Sequence, residues 1–155
     1  MSKITKLIAF TAFLFVSGWI YVKYYQPEAL KPVQPSGRVA EIDMISSKGA
    51  WAFVATAIRF KNGDELLEEY STEAGTMPQE IRLKVGDRVK INVFNEDSFD
   101  HGLALEAFAI NRRLFPNQST LIDFIASKAG KFQFYCSVPC GEGHYQQIGT
   151  IIIEE

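Results

Sequence analysis

Residues 81–93 read Ile81-Arg82-Leu83-Lys84-Val85-Gly86-Asp87-Arg88-Val89-Lys90-Ile91-Asn92-Val93. Apolar and polar residues alternate on both sides of Gly86-Asp87. A period of two puts one face of each run against a core and the other in water, so both runs are half-buried strands. The texture continues outward. Residues 51–60 are apolar-rich and stop at Asn62-Gly63, a turn signal. Residues 103–107, 120–126, 131–136 and 149–154 are further short strands, some of them separated by Pro116-Asn117 and Ala129-Gly130. With a first strand at 38–45, about seven or eight strands in roughly 105 residues point to an all-β fold, a Greek-key sandwich or barrel.

Residues 63–79 are the exception. They carry Asp64, Glu65, Glu68, Glu69 and Glu73 without a strand pattern, and 66–70 is compatible with one helical turn. Two readings stand: a solvated surface insertion, which is favoured, and a docking surface for a cationic redox partner.

Composition agrees with a folded, β-rich chain. Of 155 residues, 47% are hydrophobic and 22% charged, the balance of a packed protein. Among the twelve Phe and six Tyr, many sit in the short strand-like runs, which suits a β-rich core. A net charge of -2 leaves no basic footprint for nucleic acid.

Residues 7–22, LIAFTAFLFVSGWIYV, form an uncharged, mostly apolar run. As a helix it rises about 24 Å at ~1.5 Å per residue. Flanking Lys6 and Lys23 can snorkel, which brings it close to a hydrocarbon core of roughly 30 Å. Trp19, Tyr21, Tyr24 and Tyr25 gather at one end as an interfacial belt. The rival reading is a cleaved signal peptide, but no small-x-small cleavage site follows the run. The expectation is a retained, single-pass anchor over 1–25 in the cell (inner) membrane, with the C-terminal domain on the extracytoplasmic, periplasmic side. Residues 26–49, with Pro27, Pro32, Pro35 and Gly37, read as an extended linker that enters the first strand. Residues 50–155 read as the folded domain.

The chain has only two Cys and two His. Three of the four fall in Cys136-Ser-Val138-Pro-Cys140-Gly-Glu-Gly-His144-Tyr-Gln-Gln147, between the strands at 131–136 and 149–154. Two thiolates and an imidazole, spaced by four and four, suit copper or zinc. His101 adds a second imidazole from an upstream loop.

This segment resembles the copper-A loop of cytochrome c oxidase subunit II, whose pattern is Cys-x3-Cys-x3-His-x2-Met. The stretch Glu96-Asp97-Ser98-Phe99-Asp100-His101-Gly102 resembles that family's other ligand loop, and Ile148-Gly-Thr-Ile-Ile-Ile153 its last strand. The resemblance covers residues 81–155, and a lone N-terminal helix is similar to the short ba3-type form. It implies a cupredoxin-like domain in which Cys136 and Cys140 bridge two copper ions, His101 and His144 each cap one, and the Val138 carbonyl is a weak axial ligand. It also implies electron transfer from a c-type cytochrome or small copper protein to oxidase subunit I, with no catalysis by this chain alone. Fast transfer would come from sharing one electron over two metals in a rigid, largely buried site. Gln147 stands where the family has its axial Met. Glutamine can serve as an axial copper ligand, and its harder oxygen favours the oxidised metal.

The alternatives are a copper-binding or delivery protein without an oxidase partner and a mononuclear copper cupredoxin. A Cys136–Cys140 disulfide would close too short a loop to stabilise much and leaves His144 unexplained. Zinc held by the two Cys and two His is a further possibility. Phe132, Phe134 and Tyr135 are expected around the thiolates. Asp100 either orients His101 or, as is favoured, faces solvent.

Overall fold

The computed structural model describes residues 32–47, 52–75 and 80–155. The expected anchor at 1–25 and the start of the linker lie outside them. No helix among the described residues is long and apolar enough to cross a membrane.

Ten strands occupy most of the described chain: β1 (Arg38–Ser47), β2 (Ala52–Asn62), β3 (Glu65–Ser71), β4 (Ile81–Lys84), β5 (Arg88–Asn95), β6 (His101–Leu105), β7 (Ile110–Leu114), β8 (Ser119–Ile125), β9 (Gly130–Tyr135) and β10 (Ile148–Glu154). They form two five-stranded sheets, ordered β3-β2-β1-β5-β8 and β4-β10-β9-β6-β7. Pairing is antiparallel except for β1 with β5 and β4 with β10. The sheets share one core. Ile42, Met44, Ile58, Val89, Ile91 and Val93 from the first meet Leu83, Leu103, Leu105, Leu114, Ile151 and Ile153 from the second. Burying each Ile or Leu contributes about 1.5–3 kcal/mol. The alternation at 81–93 is thus realised as β4 and β5, one strand in each sheet.

Three elements differ from the sequence expectation. β1 covers the first strand expected at 38–45, but that strand, read as the end of the linker, sits at the centre of its sheet, paired along its length with β2 and β5. Residues 65–71, read as irregular or as a helical turn, are strand β3. This is an edge strand exposed on most of its length, so no buried face imposes a period of two on its sequence. Charge sets its pairing instead: Arg59 on β2 is opposite Glu41 of β1 and Glu69 of β3, and also donates to Asp43 at 2.5 Å. β7, Ile110-Asn-Arg-Arg-Leu114, was not anticipated. It is the edge of the second sheet and buries only its two end residues.

The inward rows change character at one end of the sandwich. On β1 the row Ala40, Ile42, Met44 continues to Ser46, and on β5 Val89, Ile91, Val93 continues to Asn95; both polar residues are fully buried. On β9 the row Phe132, Phe134 continues to Cys136, and on β6 Leu105 and Leu103 lead back to His101, which is 0% exposed. Residues two apart share a face, so four apolar rows deliver four polar or ligating side chains to one place.

Two local contacts hold this frame. At the β4–β5 turn, the buried carboxylate of Asp87 accepts from Arg38 at 3.0 and 2.8 Å and from the Lys84 main-chain N–H at 2.8 Å. It ties the start of β1 to the second sheet. At the other end, Gly102 on β6 lies under the chain that follows β9. A Cβ at this position would stand 2.3 Å from Ser137 Oγ and 3.2 Å from the Val138 nitrogen. Only glycine lets that segment come so close.

Replacing Asp87 by Ala leaves the Arg38 guanidinium, only 20% exposed, without its carboxylate. The expected loss is about 3 kcal/mol of unfolding free energy by chemical denaturation of the full chain. A loss within experimental error would show that solvent replaces the pair. Gly102→Ala is expected to cost about 1–3 kcal/mol by overpacking, with part of the loss recovered by adding Ser137→Gly. Additive effects of the two changes would contradict the contact.

Candidate metal centre

The segment 136–147 leaves β9 and returns to β10. The Cys136 main-chain N–H donates to the Gln147 carbonyl at 3.0 Å, closing the loop at its neck. Inside it, His144 N–H donates to the Gly141 carbonyl at 3.1 Å, and a single 3-10 turn spans His144–Gln146. The tight path brings the imidazole of His144 back over Cys140.

The predicted donors converge. His101 Nδ1 is 3.7 Å from Cys136 Sγ, which is 3.7 Å from Cys140 Sγ, which is 3.5 Å from His144 Nδ1. Two oxygens flank this chain of atoms. The Val138 carbonyl is 3.3 Å from Cys136 Sγ, and Gln147 Oε1 is 3.9 Å from Cys140 Sγ. Ligand atoms of His101, Cys136 and Cys140 all lie within 4.8 Å of one another. Cys136 is 2% and Cys140 9% exposed, while Gln147 is wholly buried. The most accessible imidazole is that of His144, which lines an open groove with Asn111, Tyr135, Ser137, Tyr145 and Ile148.

The donor set fits a soft or borderline cation. The sulfurs are too far apart for a disulfide, whose bond is about 2.05 Å. Their spacing is close to what two thiolates on one metal need, with metal–sulfur bonds of about 2.3 Å at a tetrahedral angle. Two ionised thiolates at this distance repel strongly unless a cation lies between them. Four soft or borderline donors with two weak oxygens suit copper better than a hard ion.

The support around the donors was only partly foreseen. His101 Nε2 is 2.8 Å from Asp97 Oδ2. The carboxylate only accepts, so Nε2 carries the hydrogen and Nδ1 is left to face Cys136. Asp100, the neighbour weighed for this role, pairs instead with Arg113. Successive strand residues point to opposite faces, which turns Asp100 away as His101 turns in. Asn95 shapes the turn that brings Asp97 back: its amide donates to the Phe99 and Leu114 carbonyls at 2.9 and 3.0 Å, and its oxygen accepts from Asp97 N–H at 3.1 Å. The signal was present in the row Val89, Ile91, Val93, Asn95, where a polar residue occupies an inward position. Phe132, Phe134 and Tyr135 do more for the frame than for the sulfurs. Phe134 packs on Phe53, Phe132 on Phe108, and the Tyr135 hydroxyl donates to Glu106 at 2.5 Å.

Comparison with known proteins follows the same lines. A cytochrome c oxidase subunit 2 of Thermus thermophilus is 25% identical over 127 residues, covering 79% of this chain and 93% of the relative. The nitrous-oxide reductase of Stutzerimonas stutzeri is 30% identical over 79 residues, but these are 49% of this chain and only 12% of that enzyme. Among solved structures, a chain of a heme-copper terminal oxidase dimer superposes with a TM-score of 0.56 at 20% identity, covering 97% of this chain and 96% of that one. The model of the cupredoxin-like domain matches residues 47–153. Sandwich, inward rows and family match agree, and the chain belongs to the cupredoxin-like domain family.

Proposed function

We propose that this chain is a membrane-anchored, subunit II-like electron-transfer protein holding a dinuclear copper centre of copper-A type. It would take electrons from an extracytoplasmic c-type cytochrome or small copper protein and pass them to subunit I of a haem–copper oxidase. The observation that carries this reading is the unbroken run Nδ1–Sγ–Sγ–Nδ1, with one oxygen at each flank. A mononuclear blue-copper site uses a single thiolate, and a structural disulfide would need neither histidine.

Cys136 and Cys140 would bridge, His101 and His144 would cap, and Val138 and Gln147 would supply weak outer oxygens. Copper held there would exchange one electron at a time. The residues themselves limit movement during that exchange. His101 is fixed by Asp97, Cys136 by the neck of the loop, and both lie at the ends of packed strands. A site that moves little has a small reorganisation energy, the condition for fast transfer. His144, beside the open groove, is the shortest way in for an electron from a donor docked there. The apolar run at 7–22 would hold the domain at the membrane surface beside its acceptor.

A second reading, copper binding and delivery without an oxidase, is favoured by one observation: Gln147 occupies the position of the resembled family's Met. Capture of the full chain from detergent-solubilised membranes separates the two. The oxidase reading expects subunit I and haem to come down with it. A chain that comes down alone and exchanges no electrons with a cytochrome would leave delivery as the function.

Asp97→Asn tests the support of His101. The neutral amide cannot match the carboxylate as an acceptor from Nε2–H, and copper affinity measured against a competing chelator is expected to fall about 10–100-fold. Unchanged affinity would mean that packing alone orients the ring.

A further inference from the structure

Gln147 differs chemically from the residue the resemblance places there, and it is held in a particular way. Its Nε2 is 3.0 Å from Ser46 Oγ and 3.3 Å from the Ala52 carbonyl oxygen. The Ser46 hydroxyl could accept or donate, so on its own it leaves the amide free to flip. The Ala52 carbonyl can only accept, so the atom facing it must be the NH2 group. The other end of the amide is then oxygen, and it lies 3.9 Å from Cys140 Sγ. Both Gln147 and Ser46 are 0% exposed, so water does not compete for these bonds. Reversing the amide would set two carbonyl oxygens, those of Gln147 and Ala52, against each other, at about 1–3 kcal/mol for the unsatisfied contact.

We infer that Ser46 and the Ala52 carbonyl are positioning groups that aim the Gln147 oxygen at the Cys140 side of the centre, giving it two chemically matched halves. The proposal rests on the metal-centre reading above. On one side stand His101 Nδ1, Cys136 Sγ and the Val138 amide oxygen; on the other stand His144 Nδ1, Cys140 Sγ and the Gln147 amide oxygen. With a thioether at position 147 the second half would offer sulfur where the first offers oxygen. Ser46 comes from the inward row of β1 and Ala52 from the start of β2, so the first sheet orients a donor carried by the loop of the second.

The test is nuclear magnetic resonance on the full chain in detergent, as wild type, Ser46→Ala and Gln147→Met. In the metal-free protein the Gln147 side-chain NH2 is expected to exchange slowly with solvent, and about tenfold faster in Ser46→Ala, the factor one hydrogen bond is worth. Backbone amide dispersion shows whether each variant is folded. After loading with copper ions, the contact-shifted imidazole signals of His101 and His144 are expected to span similar ranges in wild type. They are expected to separate in both variants; Gln147→Met keeps the test alive if Ser46→Ala does not fold. Copper bound with unequal histidines in wild type, or unchanged by either variant, overturns the matched halves while leaving the metal centre standing. A wild-type chain with slow NH2 exchange that binds no copper overturns the metal centre and the donor role of Gln147 together.

Discussion

The hydrogen bond from Cys136 N–H to the Gln147 carbonyl, 3.0 Å long, closes the segment on which five of the six proposed donors depend. Cys136, Val138, Cys140, His144 and Gln147 all lie between its two ends, and only His101 comes from elsewhere. The loop is anchored because both flanking strands are anchored: β9 and β10 pair from Ile148↔Tyr135 to Ile153↔Gly130. Opposite Phe134 in that ladder is Gly149, where a Cβ would stand 2.1 Å from the Phe134 ring. The aromatic ring lies on the neighbouring backbone, so the neck of the loop rests on packed core.

The site is an extension of the core. Four inward rows run from aliphatic or aromatic residues to Ser46, Asn95, Cys136 and His101, and these buried polar groups have partners supplied by neighbouring strands or the ligand loop. Burial and hydrogen bonding thus act together. Burial keeps water from competing at the thiols and the Gln147 amide, and the bonds remove the penalty that unpaired polar groups would carry. The open exception is the face around His144 and Tyr145, where Tyr145 is 83% exposed. One imidazole is sealed and braced by a carboxylate; the other looks out to solvent.

Much of this was legible in the sequence because the strong signals are those of burial. Alternation marked 81–93, the chain's ligand-rich residues were concentrated in one loop, and the spacing by four and four needed only a turn of known size to bring Cys136, Cys140 and His144 together. Two strands escaped because they had no burial to report. β3 and β7 are sheet edges, and a strand wetted on both faces has no reason to alternate. β1 was legible as a strand at 38–45, but the prolines before it placed it at the end of a linker rather than at the centre of a sheet. Asp97 was not singled out because only the sequence neighbour Asp100 was weighed, and strand geometry sends neighbours to opposite faces. Ser46 lies 101 residues from Gln147, and no local pattern links them.

Two coppers sharing the thiolates of Cys136 and Cys140 are the heart of the proposed site. Electron paramagnetic resonance of the copper-loaded full chain tests this most directly. A hyperfine pattern from one unpaired electron spread equally over two copper nuclei is the predicted result. A spectrum from a single copper nucleus would contradict it.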